Sequence, residues 1–159
     1  MKQIKKRLIL QIGISGSGKS TWITNNFHPS LVLSVDQMRI DMTGDINNKS
    51  EDVFIYAEAL QYLFVLLRQN DLIVFDTTNL QVSRRRNLIN FIRDKYKDIQ
   101  IEYKLFPCDI EIAKQRIKQQ LTNGEFRSNV PDSSIERQFA LYELALVDLK
   151  EEDLIKYQE

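Results

Sequence analysis

The sequence predicts an α/β fold in which a parallel sheet is sandwiched between helices. Short apolar runs alternate with longer segments of helical periodicity, and polar residues follow several of the apolar runs. The 159 residues are 43% hydrophobic and include only five Gly and three Pro, which suits one compact domain with a sizeable core. Such sheets bind ligands at the carboxyl ends of their strands, so we expect the functional site there.

The first half of the chain predicts two strands, each followed by a helix, and then a longer helix. Each assignment rests on apolar residues bounded by Gly, Ser, Asp or Asn. Ser50 is expected to cap the longer helix. We expect strands over 8–12 and 31–35, and helices over 19–26, 36–41 and 51–68.

The second half repeats the alternation of strand and helix. The run 71–76 is typical of a buried strand, whereas 99–106 alternates apolar and polar residues, as a strand near a sheet edge does. Pro131 suits the first turn of a final helix. We expect helices over 82–97, 110–121 and 131–150, a loop over 124–130, and a short strand or frayed helix over 154–157.

The scarcity of cysteine and histidine limits the chemistry that the chain can perform. Cys108 is the single cysteine and His28 the single histidine, so a disulfide framework, a zinc site and a Ser-His-Asp triad are excluded. Carboxylates, Lys, Arg and a hard metal ion remain. Net charge is zero, but residues 143–159 hold six acids against two lysines, which leaves the preceding residues mildly cationic and suited to anionic substrates.

The hydropathy pattern predicts no membrane segment. The basic residues near the start precede only about six apolar residues, too few for a signal sequence. The longest uncharged run in the most apolar helix, 59–67, has nine residues, whereas a membrane-spanning helix needs about twenty. We therefore expect a cytoplasmic protein with no membrane partner, and its oligomeric state stays open.

Residues 13–20 match the phosphate-binding motif G-x-x-x-x-G-K-[ST] at every fixed position, between a predicted strand and a predicted helix. Glycines in such a loop turn backbone N–H groups onto phosphate oxygens, and the helix dipole adds positive potential. Lys19 is expected to neutralise the β- and γ-phosphates and Ser20 to ligate a metal, so ATP and Mg²⁺ are implied. The predicted ATP-binding residues are Gly13, Ser15, Gly16, Ser17, Gly18, Lys19, Ser20 and Thr21.

Residues outside this loop separate the classes of protein that carry it. The guanine-reading stretch Asn-Lys-x-Asp is absent, and segment 76–79 reads Asp-Thr-Thr-Asn instead of the Asp-x-x-Gly of GTPases. At the end of the second predicted strand, Asp36 and Arg39 stand three residues apart, within one helical turn. Such a pair can present a carboxylate and a guanidinium to one ligand.

With these features the sequence resembles the 5'-polynucleotide kinases and their relatives among small P-loop kinases. The resemblance covers most of the chain, and it implies a single P-loop NTPase-type kinase domain over 1–159 with a short lid over 116–130. It rests on the loop 13–21, the pair Asp36 and Arg39, the segment 76–79 followed by arginines at 84–86, and a lid with Arg116 and Arg127 ahead of Pro131.

The resemblance also implies roles for individual residues. Asp36 matches the family's general base, which takes the proton from the attacking hydroxyl. Arg39 matches an arginine that grips a phosphate of the acceptor. Asp76 is expected to orient the acceptor or to hold a metal-bound water, and Thr77 and Asn79 accompany it as acceptor-binding residues.

The lid arginines are expected to close over the triphosphate and stabilise charge on the transferred group. Arg127 is the first candidate and Arg116 the second. The match is looser here than elsewhere, because segment 121–129 carries fewer basic residues than the family pattern and its spacing to Pro131 differs.

Structural explanations compete with several of these assignments. Asp36 suits a helix cap, and Arg39 suits a surface ion pair with Asp36 or Asp41. Successive helix positions point in different directions, so a solvated helix face is favoured over a nucleic-acid patch for Arg84, Arg85 and Arg86. Core packing is favoured over base stacking for Phe54, Tyr56, Tyr62 and Phe64, and a solvated helix end is expected for the acidic residues of 143–159.

Taken together, these features favour transfer of the γ-phosphate of ATP to the 5'-hydroxyl of a DNA or RNA end, which makes nucleic-acid 5' ends the expected partner. A kinase acting on a nucleoside, sugar acid or antibiotic is the first alternative, and zero net charge and a weakly basic lid fit it. A nucleotide-binding regulatory ATPase is the second alternative, which leaves Asp36 and Arg39 without a role.

Overall fold

The computed structural model describes residues 4–150, apart from the side chain of Lys150. Within them, a four-stranded parallel sheet has the strand order β2-β3-β1-β4, so β1 is central and β4 lies at one edge. The predicted parallel α/β fold and the edge position of the fourth strand are confirmed. The strands are β1 (Arg7–Ile12), β2 (Val32–Ser34), β3 (Leu72–Asp76) and β4 (Gln100–Leu105).

Six α-helices accompany the sheet in the described part of the chain, in the order that the sequence predicts. A short 3₁₀ turn, Pro29–Leu31, precedes β2. The acid-rich segment 151–159, with the strand or frayed helix expected over 154–157, lies outside the described residues. The helices are α1 (Lys19–Asn26), α2 (Val35–Thr43), α3 (Asp52–Gln69), α4 (Val82–Lys95), α5 (Ile110–Thr122) and α6 (Asp132–Lys150).

Strand β2 is shorter than the predicted 31–35, because its neighbours at both ends are helical. Leu31 completes the 3₁₀ turn, and Val35 already opens α2. Ser34 causes this early start, since its hydroxyl oxygen accepts a hydrogen bond from the Gln37 backbone N–H at 3.3 Å and so caps the helix.

The predicted cap of α3 is wrong. Glu51 occupies the capping position without a side-chain hydrogen bond to the helix. The Ser50 hydroxyl instead donates to Asn48 Oδ1 at 2.7 Å and stabilises the turn that leads into α3. Local competition of this kind is common for Ser and Asn, whose short side chains bond nearby polar groups.

The core lies on both faces of the sheet, which confirms the predicted sandwich. On one face, side chains of β1 and β3 pack against buried residues of α3, α4, α5 and α6. On the other face, Ile9 and Val74 pack against Ile23 of α1. The alternation along β1 directs successive side chains to opposite faces, both of which are covered.

The expectation that all four aromatic residues of α3 belong to the core is wrong for two of them. Phe54 is 53% exposed and Tyr62 is 48% exposed. Tyr56 and Phe64 do pack against the core, where the Phe64 ring lies 4.7 Å from the ring of Phe91. The helix is therefore apolar on a face that the described residues leave uncovered.

Arg85 of α4 and Asp148 of α6 differ from the expected solvated faces, whereas Arg84, Arg86 and Glu143 are exposed as expected. Arg85 is 2% exposed, and its Nη2 donates to Asp148 Oδ2 at 2.6 Å. Asp148 is buried as well and accepts a second hydrogen bond from Arg86. Arg85 Nη1 donates to the carbonyl of Asn79 at 2.8 Å, so this ion pair also fastens the segment between β3 and α4.

None of the helices within residues 4–150 combines the length and the hydropathy that a bilayer crossing requires.

We predict that Asp148→Ala lowers the free energy of unfolding by about 3–5 kcal/mol, because it leaves the Arg85 guanidinium buried without a counter-ion. Urea unfolding followed by circular dichroism measures the change. Glu143→Ala is the matched control, since Glu143 is an exposed acid on the same helix, and we expect it to change stability by less than about 0.5 kcal/mol. Equal unfolding midpoints for the two variants would refute the role of the ion pair.

Candidate active site

The phosphate-binding loop joins β1 to α1 at the carboxyl edge of the sheet. Gly16 has φ 80° and Gly18 has φ 97°, in the left-handed region that favours glycine. A Cβ on Gly16 would also lie 2.8 Å from the carbonyl oxygen of Ala113 in α5. The loop therefore needs glycine at both positions for its turns, and at Gly16 also for the close approach of α5.

Lys19 folds back over this loop. Its Nζ donates to the carbonyl of Gly13 at 3.0 Å and to that of Ile14 at 2.7 Å. Burial lowers the pKa of Lys19 to about 8, and the carboxylates of Asp76 and Asp36 oppose the shift. The Arg127 guanidinium adds to the lowering of that pKa, so three charged side chains act on Lys19 at this edge of the sheet.

Two carboxylates face the loop from neighbouring strands. Asp76 ends β3, and Asp36 lies in the first turn of α2, directly after β2. The strand register pairs Ser34 with Asp76, and Asp36 follows Ser34 by two residues. The two carboxylates are therefore close to each other. Burial raises the pKa of Asp76, the Lys19 ammonium opposes that rise, and the Asp36 carboxylate adds to it. A hydrogen bond from Ser34 also lowers the Asp76 pKa, a contact that sequence reasoning missed.

Arg39 is held between two carboxylates. Its Nη1 donates to Asp36 Oδ1 at 2.5 Å and its Nε to Asp52 Oδ1 at 2.8 Å. Burial disfavours the Arg39 cation, but the two hydrogen bonds outweigh this effect and its pKa is raised. The Arg39 side chain is 6% exposed, whereas that of Asp36 is 59% exposed. The base candidate is thus accessible and oriented by its neighbour, while Asp41 bonds Gln37 instead.

The predicted lid, 116–130, corresponds to the second half of α5 and most of the connection, 123–131, to α6. Arg116 lies on α5, and its Nη1 donates to the carbonyl of Gly16 at 3.2 Å. Arg127 lies on the connection, where its side chain bonds Gln120 and the carbonyl of Ser128. Burial lowers the pKa of Arg127, and Asp36 opposes the shift, so this arginine acts electrostatically on the candidate base.

Asn79 lies at the predicted segment but its side chain bonds the backbone. It has φ 52°, is buried, and donates from Nδ2 to the carbonyls of Gln11, Phe75 and Thr77 at 2.9, 3.3 and 3.2 Å. These bonds fix the turn after β3. The structure thus brings Asp76 to the site and gives the Asn79 amide a role in the fold, with half-buried Thr77 between them.

Gln138 is a site neighbour that sequence reasoning missed. From α6, its Oε1 accepts a hydrogen bond from the Ser15 backbone N–H at 2.7 Å. The two residues are 123 positions apart, so no local sequence pattern predicts the contact. Ser17 is buried within the loop, and its hydroxyl has no hydrogen-bond partner among the described residues.

The donor set fits a nucleotide with its metal better than a metal held by protein alone. Among residues 4–150, no group of three or more His, Cys, Asp or Glu side chains is arranged to hold a metal ion. Ser20 is exposed in the first turn of α1, where helix N–H groups and the dipole favour phosphate. A magnesium ion would therefore be held by the Ser20 hydroxyl together with phosphate oxygens.

Comparison with known families agrees with this geometry. A family model described as an AAA domain matches residues 8–145, which is most of the chain. The chain belongs to this family. As a member of this P-loop kinase-type family, it is a nucleotide-binding domain. Among curated proteins, none matches the sequence significantly.

Solved structures share the fold at low sequence identity. A chain of the Pnkp1/Rnl/Hen1 RNA repair complex superposes with a TM-score of 0.73 at 18% identity, over 92% of this chain and 47% of that one. A candidate kinase from Chloroflexus aurantiacus superposes with a TM-score of 0.64 at 12% identity, over 89% of this chain and 80% of that one. A gluconokinase from Sinorhizobium meliloti superposes with a TM-score of 0.51 at 17% identity, over 88% of this chain and 76% of that one. Our chain thus spans about half the length of the repair-complex chain.

We predict that ATP binding weakens as pH rises above 8, by up to about tenfold per pH unit, because the deprotonated Lys19 amine must take up a proton when phosphate binds. Below pH 8 the ammonium is already present, so affinity stays level. Titration with a fluorescent, non-hydrolysable ATP analogue between pH 7 and pH 9.5 measures this. Lys19→Arg is the control, since its guanidinium stays charged throughout. The same pH dependence in both proteins would contradict the assignment.

Proposed function

We propose that the chain transfers the γ-phosphate of ATP to the 5'-hydroxyl of a DNA or RNA end. One observation carries the proposal: the exposed Asp36 carboxylate is held by Arg39 at 2.5 Å and interacts electrostatically with Lys19 of the phosphate loop. A general base beside a phosphate-binding lysine is what phosphoryl transfer to a hydroxyl requires.

In the proposed reaction, the acceptor hydroxyl oxygen bonds to the γ-phosphorus while the bond from that phosphorus to the β-bridging oxygen breaks. The hydroxyl proton passes to Asp36, and ADP leaves with the bonding electron pair. Because the transition state is loose, alignment and charge stabilisation contribute more than covalent assistance. The hydrogen bond from Arg39 keeps the Asp36 carboxylate in a fixed orientation for this step.

Cations at the loop stabilise the transferred group in this proposal. Lys19 serves the β- and γ-phosphates, Arg127 the transferring phosphoryl group, and Arg116, which already touches Gly16, the triphosphate above the loop. Magnesium, held through Ser20, would supply further charge neutralisation. The electrostatic effect of Arg127 on Asp36 supports its place beside the reacting atoms.

The acceptor side is formed in this proposal by Arg39, Asp76 and Thr77. Within the described residues, Nη2 of Arg39 makes no hydrogen bond, so this donor remains for an acceptor phosphate. Asp76 is half-buried beside Ser34, where a raised pKa suits a carboxyl group that binds a hydroxyl. Asn79 fixes the turn that carries these groups.

Fold similarity to a chain of an RNA repair complex supports a nucleic-acid end as the acceptor. We accordingly propose a role in nucleic-acid repair inside the cytoplasm. A small-molecule kinase is the second candidate, because the chain covers 80% of a candidate kinase and 76% of a gluconokinase. The acceptor assay below separates the two.

The proposal is tested by incubating the protein with Mg²⁺, γ-labelled ATP and a panel of acceptors. The panel holds 5'-hydroxyl DNA and RNA oligonucleotides, 5'-phosphorylated versions as controls, nucleosides and gluconate. We expect label on the 5'-hydroxyl oligonucleotides alone. Label on gluconate or a nucleoside without label on oligonucleotides would overturn the polynucleotide assignment in favour of the second candidate.

We predict that Asp36→Asn reduces the transfer rate by about 10²–10⁴-fold while ATP affinity changes little, because the amide cannot accept the hydroxyl proton. Asp41→Asn is the matched control, as Asp41 is an exposed carboxylate on the same helix. We expect it to transfer at the wild-type rate. Single-turnover transfer and analogue titration measure the two effects, and full transfer by Asp36→Asn would exclude Asp36 as the base.

A further inference from the structure

A groove of about 430 Å³ lies between α3 and α4. Its volume falls in the range of small-ligand pockets. Both polar and aromatic side chains line it. They include Tyr56 from α3 and Gln81, Ser83, Arg84, Asn87 and Phe91 from α4 and its approach.

The groove contains a guanidinium laid on an aromatic ring. The Cζ atom of Arg84 lies 4.8 Å from the ring centroid of Tyr56, a cation–π arrangement. Tyr56 is held from below, since its ring centroid is 6.0 Å from that of Phe75 in β3. Arg84 itself is exposed, so the outer face of its guanidinium is open to a ligand.

Two hydrogen bonds and one step along α3 relate this pair to the candidate base. Asp36 bonds Arg39, and Arg39 bonds Asp52 at the first position of α3. Tyr56 follows Asp52 by four residues, which places it on the same helix face about 6 Å further along the axis. A strand whose 5' end reaches Asp36 can therefore extend into the groove within a few nucleotides.

The start of α4 supplies polar groups along the same path. Gln81 is the capping residue of this helix, and its side chain makes no capping hydrogen bond, while Ser83 and Asn87 line the groove. The helix follows the segment that ends in Asn79, so its start lies at the carboxyl edge of the sheet. Free N–H groups at a helix start favour phosphate oxygens.

A second hollow, of about 750 Å³, lies on the other side of α4, between α4 and α6. Its lining contains no aromatic side chain. Its arginine, Arg86, is already bonded to the buried carboxylate of Asp148. Only the groove on the α3 side therefore offers a flat stacking surface among these two.

We propose that the groove between α3 and α4 binds a nucleobase of a single-stranded acceptor, stacked on the outer face of the Arg84 guanidinium, which lies over the Tyr56 ring. Guanidinium planes and aromatic rings both stack on bases of any identity, so the groove would bind without sequence preference. This inference rests on the proposed function, because it names the class of acceptor that the same site receives. The geometry favours a polymer over a small metabolite.

The test measures binding of fluorescent 5'-hydroxyl oligonucleotides by anisotropy, with an abasic site moved through the first four positions. In the wild type we expect one position at which loss of the base weakens binding by about tenfold, the effect of one stacked base. Arg84→Lys keeps the charge but removes the planar guanidinium, so its affinity for the intact strand should fall by a similar factor. Its abasic penalty, the factor by which loss of that base weakens binding, should fall below about twofold.

Two further variants complete the design. Tyr56→Leu keeps an apolar side chain against Phe75 but removes the ring under Arg84, and it should lower the abasic penalty as Arg84→Lys does. Arg93→Lys is the matched control, because Arg93 is an exposed arginine in the last turn of the same helix. It should keep the full penalty. Urea unfolding confirms that each variant is folded.

The outcomes separate this inference from the proposed function. The proposed base-binding groove is overturned if the wild type shows no abasic penalty at any of the four positions, or if Arg84→Lys leaves the penalty unchanged. This holds even if oligonucleotides are phosphorylated. A penalty that depends on Arg84 and Tyr56 supports the groove even if no label reaches the 5' end, in which case the proposed transfer fails alone.

Discussion

The carboxyl edge of the parallel sheet is the constraint on which the rest of the site depends. Parallel pairing of β2 with β3 and of β3 with β1 sends three strand ends out on one side. The register of Ser34 with Asp76 sets the end of β3 beside the start of α2, which carries Asp36. The loop after β1 adds Lys19 to the same edge. Reversal of any of these strands would remove one charged group from the site.

Charge balance at this edge prepares the protein for an anion. Burial lowers the pKa of Lys19 and of Arg127, because neither cation is fully solvated. Asp36 and Asp76 offset part of that cost. A bound triphosphate would add negative charge and favour the protonated lysine. The loop itself provides hydrogen-bond acceptors for the Lys19 ammonium, the carbonyls of Gly13 and Ile14.

Side chains away from the reacting atoms hold the backbone of the site in place. Arg85 and Asp148 form a buried ion pair between α4 and α6, and Arg85 also bonds the carbonyl of Asn79. Asn79 then fixes the turn after β3. Gln138 of α6 likewise accepts a hydrogen bond from the Ser15 backbone N–H and so holds the phosphate loop. Helix α6 thus supports both the phosphate loop and the segment after β3.

The sequence by itself determined the order of the elements, the phosphate loop and the pair of Asp36 and Arg39, because these depend on spacings within single segments of the chain. It misjudged Arg85, since the burial of a helix face depends on which distant helix covers it. It also missed Asp52 as a partner of Arg39, as well as the contact of Gln138 with the loop. Only the tertiary structure decided these contacts, because they join residues far apart in the chain whose distances are set by packing of the sheet and helices.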